Sequence, residues 1–159
     1  MTHAHTYSAR LSWSGSTAVG YDEYDRTHRV TVPPAAAVLT LTSDPAFRGN
    51  SELLNPEQLL LASASSCQLL SFLAVAARSR IDVLSYEDDA EAVMPEGEKR
   101  MRVTRITLRP HIVVMPGVAV EKVHRLVRLG HDSCFIANSL NSEVVIDATI
   151  EHAPDPAIG

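Results

Sequence analysis

Apolar and polar positions alternate from Tyr7 to Ser14 around Leu11 and Trp13, the period of a half-buried strand. Turn residues follow at Ser14-Gly15-Ser16 and Gly20. Arg29 to Val32 then reads as a second strand halted by Pro33-Pro34, and Val38 to Thr42, with Leu39 and Leu41, as a third. Together these predict an antiparallel meander. Ser43 to Asn55 is a polar loop carrying Pro45, Gly49 and Asn50, of a length that often serves function or lies along a partner surface.

Asn55-Pro56-Glu57 is a helix start, with Asn as N-cap, Pro at the first helical position and an acid in the first turn. Neither Gly nor Pro interrupts the chain from there to Ser79. The stretch LLLASASSCQLLSFLAVAA is apolar or small on almost every side, so it has to be covered on every side. A few strands of one chain can hardly enclose some 24 residues of helix, about 36 Å long. The small residues Ala62 to Ser66 let another backbone approach closely. The pattern therefore predicts a homodimer with paired central helices.

Val83 to Val93 and Arg102 to Val114 read as long strands joined by a hairpin at Pro95-Glu96-Gly97. Val118 to Leu129 has apolar residues at helical spacing and ends at Gly130, placed as a C′ glycine. Ser133 to Leu140 is a short helix capped by Asp132 or Ser133, and Val144 to Ile150 a last strand. Strands and helices in the order βββ–α–ββ–αα–β make an α+β domain spanning 1–159, with tails at 1–6 and 153–159 expected to fray.

The 159 residues carry a formal charge of −5 with dispersed arginines, which gives no electrostatic footprint for nucleic acid or anionic membrane. No apolar run reaches the roughly 18–20 residues of a membrane span, and the polar start lacks a signal-peptide core. A cytoplasmic protein is expected. Two cysteines, Cys67 and Cys134, are too few for a secreted disulfide scaffold. His131 is the one further zinc ligand near them in sequence, so neither metal nor bound cofactor is expected. The two thiols are not equivalent. Cys67 is mid-helix, where burial raises a thiol and only a nearby cation would activate it. Cys134 opens a helix, where free N–H groups favour thiolate. On these grounds Cys134 is the better attacking thiol.

Three motifs then stand in order: Tyr21-Asp22-Glu23-Tyr24-Asp25-Arg26-Thr27-His28, Ser43-Asp44-Pro45-Ala46-Phe47-Arg48-Gly49-Asn50, and Asn55-Pro56-Glu57-Gln58-Leu59-Leu60 leading to Ser65-Ser66-Cys67. With Cys134-Phe135-Ile136-Ala137-Asn138-Ser139-Leu140, they resemble the OsmC/Ohr family of thiol peroxidases that reduce organic hydroperoxides. The resemblance implies antiparallel sheets around long central helices in an intertwined, cytoplasmic homodimer of the oxidative stress response. Cys67 would be the peroxidatic cysteine, Cys134 the resolving one, and Arg26 and Glu57 the catalytic arginine and glutamate. A Cys67 sulfenic acid would close to a Cys67–Cys134 disulfide, recycled by an external dithiol of lipoyl or other type. In this mechanism Arg26 stabilises the Cys67 thiolate and Glu57 orients the guanidinium through a bidentate pair.

The sequence departs from the family pattern at Phe135, where many members carry Pro, and at Gln68 and Ser71, assigned to the approach to Cys67. Phe47, Leu53, Leu69, Phe72 and Phe135 are candidates for the wall that receives the organic group. Ten positions separate Glu57 from Cys67, about 15 Å along a straight helix, so a shared site requires a bend or a glutamate from the partner subunit. The rival reading is a non-enzymatic small-molecule-binding or redox-sensing dimer on the same fold.

Overall fold

A computed structural model describes residues 3–97 and 99–154. The expectation of frayed ends at residues 1–2 and 155–159 lies outside the described residues. The chain divides into two compact units, Met1–Leu59 and Leu60–Gly159.

The first unit is the meander that the alternation predicts. β1 (Arg10–Ser12), β2 (His28–Thr31) and β3 (Val38–Leu41) pair antiparallel in that order, with Leu11 opposite Val30 and Val30 opposite Leu39. The 43–55 loop has structure of its own. Asp44 caps a 3-10 turn at Pro45–Phe47 by accepting from the Ala46 N–H at 2.8 Å, and Thr42 N–H donates to the Leu54 carbonyl at 2.9 Å. Gly49 is required there, since a Cβ would lie 1.5 Å from the Ser43 carbonyl oxygen. The loop ends in a reciprocal cap: Gln58 N–H donates to Asn55 Oδ1 at 2.9 Å and Asn55 N–H to Gln58 Oε1 at 3.0 Å.

That cap opens α1 (Pro56–Arg78), an unbroken helix that runs on into the second unit. An 18-residue window of α1 has mean hydropathy 1.8, so by length and composition it is long and apolar enough to cross a membrane. This corrects the expectation that no segment would qualify, because Ser and Gln interrupt the apolar run without breaking the helix. It serves as a core helix instead. Ala64, Gln68, Phe72 and Ala76, one residue per turn, are buried in the second unit. The remaining faces stay partly open, and Leu70 is 64% exposed.

The long strands expected after α1 are each broken once. β4 (Val83–Asp88) and β5 (Glu91–Val93) pair with β7 (Pro110–Val114) and β6 (Arg105–Leu108), and with β8 (Glu143–Ile146) and β9 (Thr149–His152) they give two sheets ordered β4-β7-β9 and β5-β6-β8. The break is held by polar groups: Arg109 N–H donates to Asp88 Oδ1 at 2.7 Å and the Arg109 side chain pairs with Glu91 at 2.9 Å. The last strand splits likewise into β8 (Glu143–Ile146) and β9 (Thr149–His152). Both pair in parallel, β8 with β6 and β9 with β7, so the sheets are mixed rather than purely antiparallel. The α+β class stands.

α2 (Val120–Asp132) runs two residues past Gly130. Gly130 is no terminal glycine but a point of close approach, where a Cβ would lie 2.9 Å from the backbone N and Cα of Phe72. The helix expected at 133–140 shrinks to a 3-10 turn at Ala137–Ser139. The core gathers Phe72, Ala76, Ile112, Val114, Val123 and Val127 in one cluster and Ala64, Val103, Ile106 and Leu108 in another.

Candidate active site

Within the second unit the packing of α1 on α2 brings the two cysteines together. Gln68 Nε2 donates to the Val127 carbonyl of α2 at 3.1 Å, and the Phe72–Gly130 contact lies one turn further along both helices. The turn that follows α2 lies against α1 at Cys67. Ile136 N–H donates to Cys67 Sγ at 3.5 Å, and Ala137 N–H to Cys134 Sγ at 3.4 Å. Both cysteines are free thiols; Cys67 is half-buried and Cys134 only 1% exposed.

Their acidities diverge. Burial pushes Cys67 up, but hydrogen bonds from the Cys134 thiol, the Ile136 and Phe135 N–H groups and the Ser71 hydroxyl outweigh it and bring the thiol below its ordinary value. Burial pushes Cys134 up, and its hydrogen bond to Cys67 adds to that; the Ala137 and Ile136 N–H groups only partly offset them. This reverses the expected ranking. The N–H groups of the 135–137 turn do favour thiolate, but they are divided between two sulfurs, and the thiol–thiol hydrogen bond favours the anion on Cys67. The groups that lower Cys67 are local hydrogen-bond donors, where the sequence pointed to a cation alone.

Arg26 and Glu57 meet in the first unit, on the wall of a cavity of about 410 Å3 shared with Leu11, Trp13, Tyr24 and Phe47. Arg26 is 9% exposed. Its guanidinium lies 3.9 Å from the Tyr24 ring centroid and 4.8 Å from that of Tyr21, while its terminal nitrogens donate to the Tyr24 carbonyl at 2.8 Å and the Tyr21 carbonyl at 2.6 Å. The bidentate Arg26–Glu57 pair is not formed. The Tyr21–Arg26 loop folds back on its own arginine, and those two carbonyls take the donors. Trp13 Nε1 donates to the Asp25 carbonyl at 2.7 Å and its ring packs edge-on to Tyr24. Glu57 is half-buried in the first turn of α1, and because α1 is unbroken the bend offered as one route to Cys67 does not occur.

Of the expected apolar wall, Phe47 lines the cavity; Leu53 and Leu69 are half-buried and do not. Phe72 is not a pocket residue. It is fully buried, with its ring 5.9 Å from that of Tyr86, because it sits one turn beyond Gln68 on the stripe that faces α2. Gln68, assigned to the approach to Cys67, is 1% exposed and turned into the core by its bond to Val127. Phe135 is 80% exposed beside the thiols. Trp13 and Tyr24 went unassigned, although the Leu11/Trp13 alternation and the tyrosines flanking Arg26 carried the signal. Among the described residues, no group of three or more His, Cys, Asp or Glu side chains is gathered to hold a metal ion.

The profile of the OsmC-like protein family matches residues 49–149. The uncharacterized protein YmaD of Bacillus subtilis (strain 168) is 20% identical over 152 residues, 92% of this chain and 95% of that protein. An OsmC-like protein of unknown function from Vibrio cholerae superposes with a TM-score of 0.83 at 27% identity, covering 92% of this chain and all of the other. An organic hydroperoxide resistance protein from Legionella pneumophila shares the fold with a TM-score of 0.71 at 18% identity, over 94% of this chain and 99% of its own. With the family profile spanning well over half its length, the chain belongs to the OsmC-like protein family.

Proposed function

We propose that this protein is a cysteine-based peroxidase that reduces organic hydroperoxides to alcohols, and that it works as a homodimer in oxidative stress defence. The observation that carries the reading is the thiol pair itself: a half-buried Cys67 whose Sγ accepts the Ile136 N–H at 3.5 Å, beside a buried Cys134 whose Sγ accepts the Ala137 N–H at 3.4 Å. That asymmetry suits one sulfur to attack and the other to wait. The Cys67 thiolate attacks the distal peroxide oxygen, the O–O bond breaks, and the alkoxide leaves as alcohol after taking a proton. Cys67 is left as a sulfenic acid, with which Cys134 condenses to a disulfide and water. An external dithiol restores both thiols by exchange and is itself oxidised to a disulfide.

Arg26 and Glu57 of one copy serve Cys67 of the other in this proposal. Support comes from the unbroken α1, which keeps Glu57 about 15 Å along its axis from the Cys67 of its own chain. The apolar cavity beside Arg26 and Glu57 suits the organic group of the peroxide, and the guanidinium retains N–H donors beyond the two given to carbonyls. The exposed Leu70 and Leu73 on α1 suit burial against a second α1.

Thiol titration before and after stoichiometric cumene hydroperoxide tests the reading. Loss of about two thiols per chain, abolished in Cys67→Ser, is the expected result; retention of both thiols would favour a small-molecule binder using the same cavity.

A further inference from the structure

Trp13, just past the end of β1, is the one tryptophan of the chain. Its indole N–H reaches twelve positions along the sequence to the Asp25 carbonyl, 2.7 Å away. Its ring meets that of Tyr24 edge-on, with centroids 6.3 Å apart. Both contacts bear on Arg26. The Asp25 carbonyl lies in the peptide plane that ends at the Arg26 Cα, so the indole bond fixes the backbone from which the guanidinium departs. Tyr24 is the ring against that guanidinium, its centroid 3.9 Å from the central carbon. Among the described residues, few polar links tie residues 21–26 to anything further off. Their other hydrogen bonds, those of the guanidinium included, stay within residues 20–28. They make one ion pair, Asp22 with Arg48 at 3.0 Å, between side chains 64% and 61% exposed, where such a pair contributes little.

We propose that Trp13 is the positioning residue for Arg26, holding the guanidinium at the cavity wall through the Asp25 carbonyl and the Tyr24 ring. The role rests on the peroxidase reading, in which Arg26 serves the peroxidatic thiol. An arginine free to change rotamer loses that freedom on engaging an anion, and one already held loses less. Trp13 also lines the cavity, so contact with the organic group alone would be the simpler role. The two roles differ in what they ask of the side chain. A wall needs only an apolar surface; a positioning residue needs the donor and the edge contact. Gly15 gives a second way to disturb the ring, since it is not among the cavity residues and a Cβ there would lie 2.8 Å from Trp13 Cζ2. The ring has to yield to that Cβ, and its bond to Asp25 yields with it.

Two variants of the full chain test the role: Trp13→Phe, which keeps a ring but no donor, and Gly15→Ala, which keeps the tryptophan should Trp13→Phe not fold. Phenylglyoxal modifies arginines, and peptide mass spectrometry follows Arg26 among them. Modification of Arg26, 9% exposed in the native chain, is expected to run about tenfold faster in Trp13→Phe and several-fold faster in Gly15→Ala, with the other arginines unchanged. Iodoacetamide then reads Cys67, being too small to need the cavity. Its reaction near neutral pH is expected to slow several-fold in Trp13→Phe and to slow no further when Trp13→Phe is added to Arg26→Ala, because both changes remove the same held guanidinium. Native modification rates at Arg26 in both variants overturn the proposal, as does an acceleration shared by all arginines. An alkylation rate left unchanged while KM for cumene hydroperoxide alone rises makes Trp13 a wall and also overturns it. Failure of the native protein to consume cumene hydroperoxide refutes the peroxidase reading instead, and the phenylglyoxal rates still decide whether Trp13 holds Arg26.

Discussion

The backbone N–H of Ile136 points at Cys67 Sγ from 3.5 Å, joining residues 69 positions apart in the chain. With the Cys134 thiol, the Phe135 N–H and the Ser71 hydroxyl it forms a set of donors around a sulfur that sits in the middle of a long apolar helix.

Cys134→Ala removes one of those donors. Cys67 has its pKa lowered by them, so its thiolate persists to lower pH than that of a free cysteine; deleting Cys134 moves the midpoint back up. Alkylation of Cys67 by iodoacetamide near neutral pH is expected to fall several-fold, up to about tenfold, with the plateau at high pH unchanged. A pH–rate curve identical to that of the native protein would deny Cys134 this role.

Subunit-crossed sites make a distinctive prediction for mixed dimers. Arg26→Ala and Cys67→Ser homodimers are each expected to be inactive toward organic hydroperoxides. Their heterodimer pairs an intact Cys67 with an intact Arg26 in one of its two sites, and about half the native activity is expected. A site built from a single chain would leave the heterodimer as dead as its parents.

Leu70 is 64% exposed on α1, and an aspartate there would place a charge in the proposed helix pairing. Leu70→Asp is expected to shift the protein to monomer in sedimentation velocity and to lose peroxidase activity with it. An unchanged dimer would move the interface elsewhere.

Gly130 stands against the Phe72 backbone. Alanine gains about 1 kcal/mol of helix propensity at such a position, yet its Cβ would lie 2.9 Å from the Phe72 N and Cα. Since backbone cannot swing aside, α2 has to move, and Gly130→Ala is expected to lose about 1–3 kcal/mol net in urea unfolding. Because α2 carries the chain into Cys134, slower disulfide closure should accompany the loss.

Much of the architecture is legible along the chain. The Asn55-Pro56-Glu57 start and the three-strand meander are local matters, decided by capping and by a period of two, and the structure reproduces them. Where reading failed, a distant segment decided the outcome. Gly130 has the sequence context of a helix end, but α2 continues past it and its missing side chain admits the Phe72 backbone. The long strands looked continuous because the Asp88–Arg109 and Arg109–Glu91 bonds that break them join residues some twenty positions apart.

The site divides in the same way. Cys67 and Cys134 could be singled out by residue type, and Arg26 and Glu57 by the motifs that resemble the OsmC/Ohr family. Which sulfur is activated could not, because acidity depends on donors within hydrogen-bond reach, and helix packing alone brings residues 134–137 to position 67. A thiol's neighbours in space set its charge; its neighbours in sequence only limit what those can be.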